Sequence, residues 1–196
     1  VFYYYRDLFF ENELNELQNW VTNGGSLLAF SEHVPFDQAI NPLLRKFDIE
    51  SSIGTTVDTI NYESKYGPGM IKFENKNLNT NHPIVNGKYK VKKLVSFGGS
   101  ALLGSKYENI LKLDESSFNV KHSTGIGPEG KGNSQGLAGM YGSGKIAAFG
   151  DSNGFTAMVF NMDDGTKMYA GMNTEGYDWK NFVLNTFRWL TNYSEE

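Results

Sequence analysis

Residues 11–33 read ENELNELQNWVTNGGSLLAFSEH, and this stretch decides the fold class that the sequence predicts. In its first half the apolar residues recur at the spacing of one helix face: Leu14, Leu17, Trp20 and Val21. Gly24-Gly25 then ends the predicted helix. The second half, Ser26–Phe30, is a continuous apolar run of strand length, which is typical of a strand covered on both faces. A helix followed by a buried strand predicts an α/β protein.

The C-terminal part of the sequence predicts a hairpin and a helix. Gln135–Tyr141 and Lys145–Phe149 are strand-like runs separated by Gly142-Ser143-Gly144, which predicts a β-hairpin. Asp178 is placed to cap a helix whose apolar stripe consists of Phe182, Val183, Thr186, Phe187 and Leu190.

The middle of the sequence predicts less regular structure. Asp37 is placed to cap a second helix that runs to Phe47, with Pro42 near its first turn. Residues 50–90 are rich in Asn, Lys, Gly and Thr and predict loops and short strands, followed by strands at Val91–Phe97 and at Ile110–Leu113. Gly125–Gly136 is glycine-rich but lacks the spacing of a phosphate-binding loop.

Length and composition limit the class of protein. A chain of 196 residues with 39% hydrophobic and 20% charged residues predicts one globular domain over residues 1–196. The formal net charge of -4 gives a nucleic acid or an anionic membrane no overall attraction, and no apolar run is long enough to span a bilayer. No cysteine is present, which excludes thiol nucleophiles and thiolate metal ligands. The chain starts at Val1 inside an aromatic run, so we expect native residues upstream of it.

The segment Gly150-Asp151-Ser152-Asn153-Gly154 spells G-x-S-x-G, the nucleophile elbow of serine hydrolases. The elbow requires a strand before the serine and a helix after it, and residues 155–160 carry apolar side chains that suit the start of a helix. In α/β-hydrolases the histidine base follows the serine, but the three histidines are His33, His82 and His122. A structural alternative is that Asp151 or Ser152 caps the following helix. The serine esterase therefore remains the less favoured hypothesis.

A second candidate site combines the ends of two predicted strands. Glu32 and His33 follow the first buried strand, and Asp151 follows the strand of the hairpin. Open α/β sheets bind ligands outside the carboxyl ends of their strands, so these side chains are candidates for an acid/base pair or a sugar-binding cluster. Trp179 is a candidate for stacking on a sugar ring. No metal-binding spacing of histidines is present, so the sequence predicts no cofactor and leaves a metal ion open.

Four motifs together resemble an uncharacterised bacterial domain family with the class I glutamine amidotransferase-like fold. They occur in the order LNELQNWVTNGGSLLAFSEHVPF, NHPIVNG, SQGLAGMYGSGKIAAFGDSNGFTA and GMNTEGYDWKNFVLNTFRWL and cover most of the chain. The resemblance implies a mostly parallel sheet flanked by helices, a flavodoxin-like three-layer sandwich. Family members are often found beside, or fused to, unsaturated rhamnogalacturonyl hydrolases in polysaccharide-degrading bacteria. Many members are exported, so the resemblance also implies an extracytoplasmic protein.

The resemblance also implies a site. Glu32-His33 matches an acidic-His pair of the family, and the position of Asp151 is often Glu while that of Ser152 often lacks a hydroxyl, so His33, Glu32 and Asp151 are the candidate catalytic residues. The candidate binding residues are Ser152, Asn153, Asn173, Asp178, Trp179 and Gln135. The chain departs from the family at Trp179-Lys180, where Asn-Arg is more common, and at Met158, where Gln is common.

The function implied by the resemblance is the breakdown of bacterial polysaccharides. We expect acid/base chemistry on uronic-acid-containing oligosaccharides, by a lyase, dehydratase or hydrolase step. The alternative is a non-catalytic sugar-binding or interaction domain on the same fold. Amidotransferases of this fold use a cysteine nucleophile, so glutamine hydrolysis by that route is excluded.

Overall fold

A computed structural model describes residues 9–33, 36, 39–121, 125–126 and 133–193. Its four α-helices are α1 (Glu11–Thr22), α2 (Asn41–Arg45), α3 (Pro83–Asn86) and α4 (Trp179–Thr191). Short 3₁₀ turns occupy Asn75–Asn77, Asn153–Phe155 and Gly171–Asn173. No helix in these ranges is long and apolar enough to span a bilayer.

The strands are mostly short. The first seven are β1 (Ser26–Phe30), β2 (Glu50–Ser51), β3 (Thr55–Asp58), β4 (Lys72–Glu74), β5 (Lys93–Val95), β6 (Leu102–Leu103) and β7 (Glu108–Lys112). The remaining six are β8 (Ser117–Lys121), β9 (Gly125–Ile126), β10 (Ser134–Tyr141), β11 (Gly144–Phe149), β12 (Val159–Asn161) and β13 (Lys167–Tyr169).

The main sheet is mixed and largely antiparallel, so the prediction of a mostly parallel three-layer sandwich is wrong. Its strand order is β1-β11-β10-β6-β2, with β7 also paired to β10, and the sheet curls into a half-barrel. In this sheet only β1 and β11 pair in parallel; β10 with β11, β6 and β7, and β6 with β2, are antiparallel. The remaining strand pairs form small antiparallel sheets.

The physical reason lies in the connections. Parallel neighbours need a crossover of a dozen or more residues, usually a helix. The described helices between β1 and β11 in the sequence are α2 and α3, of five and four residues, which are too short to serve as crossover helices for the other strand pairs of the sheet. The predicted hairpin is present, with Gly142 and Ser143 between β10 and β11, and this tight turn makes those strands antiparallel.

The predicted helix and strand at residues 11–33 are confirmed as α1 and β1, and the C-terminal helix is confirmed as α4. The prediction that the strand is buried is wrong, because β1 lies at an edge of the sheet and Ala29 is its one fully buried residue. Alternate residues of β11 contribute to two apolar clusters, one on each face of the sheet. One face packs against Leu14 and Val21 of α1, and the other against Phe182 and Leu190 of α4. The proposed cap Asp37, the aromatic run at the N-terminus, residues 127–132 of the predicted loop and His122 lie outside the described residues.

Candidate functional site

The carboxyl ends of β1 and β11 meet at one edge of the sheet. The two strands pair in register from Ser26 with Lys145 to Phe30 with Phe149, and the Ser31 amide donates to the Phe149 carbonyl at 2.8 Å. The residues that follow the two strands therefore lie together. We call this place the strand-end crevice, with an outer rim of Glu32 and His33 and a floor of Ser31, Ser51, Ser100, Gly150 and Asp151.

Glu32 connects the two strand ends. Its Oε1 accepts hydrogen bonds from the Ser152 amide at 2.7 Å and from the Ser152 hydroxyl at 2.5 Å. Its Oε2 accepts from the His33 amide at 3.3 Å, and the side chain is 19% exposed. Glu32 is thus an ordered acceptor that still reaches the surface.

His33 is the most accessible predicted catalytic residue. Its side chain is 42% exposed, and Nε2 lies 3.8 Å from Oε2 of Glu32. The ring also has an edge contact with Phe36, with 6.4 Å between ring centroids. Phe36 is 58% exposed, so an apolar aromatic face accompanies the imidazole at the rim.

Asp151 lies in the floor rather than at the surface. It is 4% exposed, its Oδ2 accepts from the Phe97 amide, and its Oδ1 accepts from the Asn153 amide at 2.9 Å. Burial raises its pKa to about 6, the nearby Glu32 carboxylate adds to this, and the two amide donors act in the opposite direction. The predicted convergence is therefore present in part: Glu32 contacts both His33 and Ser152, while Asp151 lies close by as a buried group.

The glycine before Asp151 is required by close packing. A Cβ on Gly150 would lie 1.9 Å from the Ser100 carbonyl oxygen, and the Ser100 amide donates to the Gly150 carbonyl at 2.7 Å. Gly150 therefore allows the backbone that follows β11 to lie against the segment that leads into β6.

Three buried serine hydroxyls form a ring in the floor, which sequence reasoning missed. The oxygen of Ser51 lies 2.5 Å from that of Ser31 and 2.8 Å from that of Ser100, and Ser100 and Ser31 are 3.0 Å apart. Each is at most 2% exposed. Because 20 and 49 residues separate Ser51 from Ser31 and Ser100 along the chain, no local spacing signals the ring.

The nucleophile elbow is not formed at Ser152. The residue has φ -83° and ψ -22°, a relaxed helical conformation, whereas the elbow needs a strained turn. The predicted helix after it is wrong, because a 3₁₀ turn at Asn153–Phe155 leads to strand β12. The Ser152 hydroxyl donates a hydrogen bond to the Glu32 carboxylate, so it helps to hold that carboxylate in place.

Two of the other predicted binding residues have structural contacts. Asp178 precedes α4 and accepts from the Lys92 and Lys93 amides at 2.8 and 3.1 Å. Trp179 is 2% exposed, donates to the Val95 carbonyl at 2.9 Å and has Gly154 against its ring, so the prediction that it stacks on a sugar is wrong.

Asn173 and Gln135 lie outside the crevice contacts just described. Asn173 is exposed and donates to the Ala157 carbonyl at 2.7 Å. Gln135 is 1% exposed, its carbonyl accepts from the Gly150 amide at 2.9 Å, and neither end of its side-chain amide has a hydrogen-bond partner among the described residues. Gln135 is thus a buried neighbour of the floor.

The described residues contain no group of three or more His, Asp or Glu side chains that could hold a metal ion. A cleft of about 640 Å³ lies elsewhere, beside β2 and β6. Its charged side chains are already paired, Arg45 with Glu50 at 2.5 Å and Asp48 with Lys106 at 2.6 Å. The described residues that line the cleft therefore offer a ligand no unpaired charge, and the strand-end crevice remains the candidate.

Comparison with known proteins shows a shared fold and no family. No family model matches the chain, and no curated protein matches it. Among solved structures, the mmIFT52 N-terminal domain is similar with a TM-score of 0.63 and 17% identity, over 96% of this chain and 74% of that one.

Two cytoplasmic proteins of Salmonella typhimurium show a weaker likeness. STM1381 has a TM-score of 0.45 and 14% identity, over 91% of this chain and 58% of that one. STM3548 has a TM-score of 0.44 and 15% identity, over 91% of this chain and 60% of that one. The chain is thus similar in fold to the mmIFT52 N-terminal domain, and at these identities the likeness concerns the fold alone.

Proposed function

We propose that the strand-end crevice is the sugar-binding site of an extracytoplasmic protein of bacterial polysaccharide degradation, and that it binds uronic-acid-containing oligosaccharides without turning them over. The carbohydrate class rests on the resemblance of the four sequence motifs. The supporting observation is the arrangement of Glu32, whose carboxylate is fixed by Ser152 and His33 yet reaches the surface. A fixed carboxylate is a strong acceptor for sugar hydroxyls.

The charges of the crevice predict which part of an oligosaccharide it binds. Glu32 and Asp151 would repel a uronate carboxylate placed beside them, whereas sugar hydroxyls donate to carboxylates. We therefore expect a neutral ring or the hydroxyl edge of a uronate to lie against Glu32. The uronate carboxylate is expected on the side of His33.

Phe36 takes the aromatic role that the sequence predicted for Trp179. It is exposed, and its ring contacts the ring of His33. Ligand sites commonly combine aromatic surface with a few fixed polar groups, and the Phe36, His33 and Glu32 side chains supply that combination.

Titration calorimetry of the chain with saturated and unsaturated uronic-acid oligosaccharides tests this proposal. We expect binding that His33→Ala and Phe36→Ala each weaken about tenfold or more, the cost of one lost contact of roughly 1.4 kcal/mol. Glu108→Gln, an exposed carboxylate that accepts from Asn79 and contributes nothing to the floor or the rim, serves as the matched control. Absence of heat with every oligosaccharide, or equal binding by wild type and the His33 variant, would contradict the proposal.

An acid/base enzyme is the second candidate, and one observation favours it. Nε2 of His33 and Oε2 of Glu32 are 3.8 Å apart, so the imidazole and the carboxylate that an acid/base pair requires lie side by side at the rim. Chromatography of the same oligosaccharides after incubation with the protein distinguishes the two candidates. New products that disappear with His33→Ala and Glu32→Gln would support the enzyme, while binding without products supports the module.

A further inference from the structure

The overall negative charge conceals a basic face on one side of the molecule. Residues 86–93 and 179–193 together carry six lysine or arginine residues and no aspartate or glutamate, in a chain of net charge -4. The two segments are far apart in sequence, so neither composition nor a single motif reveals that they form one surface.

Three polar side chains of the α4 region hold the lysine-rich segment in place. The Tyr89 amide donates to Asn185 Oδ1 at 3.1 Å, and Asn181 Nδ2 donates to the Lys90 carbonyl at 2.9 Å. Asp178 accepts from the Lys92 amide at 2.8 Å. The three contact positions on the α4 side, 185, 181 and 178, are spaced by about one helical turn. They fall toward the N-terminus of α4 as the lysine-rich segment advances, so the segment runs antiparallel to α4.

This arrangement directs the lysines to solvent. Val91 is buried while Lys88, Lys90 and Lys92 are exposed, the alternation of an extended segment with one covered side. Lys180 adds an exposed ammonium on α4. We call Lys88, Lys90, Lys92, Lys180 and the groove beside them the basic face.

The groove of the basic face is apolar. It has a volume of about 280 Å³ and is lined by Tyr89, Leu184, Phe187, Arg188, Thr191 and Tyr193. Phe187 is 49% exposed and Tyr193 is 57% exposed, and the Arg188 guanidinium lies 4.9 Å from the centre of the Tyr193 ring. A concave aromatic surface with cations at its edge fits an apolar anchor that is flanked by carboxylates.

Helix α1 of the same chain has that complementary chemistry. It carries Glu11, Glu13 and Glu16 and no basic residue, and its Trp20 is 52% exposed. Glu13, Glu16 and Trp20 follow one another at helical spacings of three and four residues, so they share one face of the helix. This acidic face offers two carboxylates and a large aromatic anchor.

We propose that the acidic face of α1 docks on the basic face of a second copy of this chain. Helices α1 and α4 pack against opposite faces of the sheet, so the two surfaces point away from each other in one molecule. The contact is therefore heterologous, and repetition of it joins copies head to tail. Trp20 fills the groove beside Phe187, and Glu13 and Glu16 face the lysines.

The concavity of the groove and the acidic face of α1 favour a protein partner over an anionic polymer. A membrane surface or a nucleic acid would use the lysines but would leave the groove and the α1 carboxylates without a role. Exposed charges are screened beyond about 8 to 10 Å at physiological salt, so self-association through these faces must weaken as salt is added.

Sedimentation velocity and light scattering of the full chain test the proposal. In buffer of about 20 mM ionic strength the average mass should rise with protein concentration, and at about 500 mM it should return to the monomer value. Lys88→Glu/Lys90→Glu/Lys92→Glu and, separately, Glu16→Lys/Asn19→Lys should each keep the protein monomeric. All five positions are exposed, and unchanged melting temperatures confirm that the fold is kept.

Mixing the two charge-reversed variants gives the decisive measurement. The reversed, now acidic, charges of the first variant's basic face then meet the lysines on α1 of the second variant, so association should return in the mixture although each variant alone is monomeric. Phe187→Ala should weaken wild-type association without changing its salt dependence. A monomer at every concentration in low salt, a mixture that stays monomeric, or binding only to anionic vesicles or to DNA would overturn the proposal.

Discussion

The floor and the rim of the strand-end crevice are adjacent in sequence at the end of β1, where Ser31 of the floor precedes Glu32 and His33 of the rim, yet the two use polar side chains differently. In the floor, Asp151 and the hydroxyl ring are buried, and their partners are other parts of the same fold. At the rim, Glu32 and His33 remain partly exposed. The difference indicates that the floor holds the sheet edge together, while the rim is available to a ligand.

The largest effect is expected from the floor glycine. Gly150→Ala places a Cβ about 1.9 Å from the Ser100 carbonyl oxygen, so the β11 and β6 segments must separate. We expect the free energy of unfolding to fall by about 3 kcal/mol or more in urea titrations. Gly69→Ala is the matched control, because its new Cβ meets its nearest neighbour at 3.8 Å and should cost less than about 1 kcal/mol. Equal losses in both variants would show that the floor is not tightly packed.

Asp151→Asn is expected to have the next largest effect. An amide accepts on one oxygen only, so either the Phe97 or the Asn153 amide loses its acceptor. A buried donor left unpaired costs about 1 to 3 kcal/mol in the free energy of unfolding at neutral pH.

The pH dependence of that difference is also predicted. The folded pKa of Asp151 is raised from 3.8 to about 6, so between these values the folded protein holds a proton that the unfolded chain has released. The contribution of Asp151 to the free energy of unfolding of the wild type is therefore greatest at low pH and is lost as pH rises through that window. The stability gap between wild type and Asp151→Asn should widen as pH falls from about 6 to 4. A constant gap would mean that Asp151 does not titrate there.

The predicted strands and the unpredicted sheet have a common explanation. β1 and β11 were predictable because both are apolar on both faces, and the hairpin because Gly142 and Ser143 allow a tight turn. The pairing directions of the strands from β2 through β9 were not predictable, because strands of two to five residues carry too few positions for a hydrophobic pattern. Composition also does not encode which distant strand a short segment will pair with.

The same contrast applies to the site. The proximity of Glu32 and Asp151 followed from the rule that ligand sites lie at the carboxyl ends of strands, and the pairing of β1 with β11 brings those ends together. Their separate roles did not follow, because burial depends on the segment around Phe97 that covers Asp151. The burial of Trp179 did have a signal in the sequence, because the residue directly precedes the apolar stripe of the C-terminal helix, which packs in the core.

At the rim, Glu32→Gln should have a smaller effect than the floor variants. The amide keeps one acceptor for Ser152 but replaces the oxygen that accepts from the His33 amide. Because the side chain is partly exposed and water can replace the lost partner, we expect a loss of about 1 kcal/mol. Glu108→Gln, an exposed carboxylate that accepts from Asn79, should change stability by less than about 0.5 kcal/mol. A loss from Glu32→Gln as large as that from Asp151→Asn would place Glu32 in the floor.

The smallest effect on stability is expected for His33→Ala, which gives the sharpest test of the contrast between floor and rim. The side chain is 42% exposed, so its removal should change the free energy of unfolding by less than about 0.5 kcal/mol. The same variant should lose about tenfold or more in oligosaccharide affinity, because the imidazole is the most accessible polar group of the crevice. Stability by urea titration and affinity by calorimetry are measured on one preparation. If stability falls together with affinity, His33 supports the fold, and the separation of a structural floor from a binding rim is wrong.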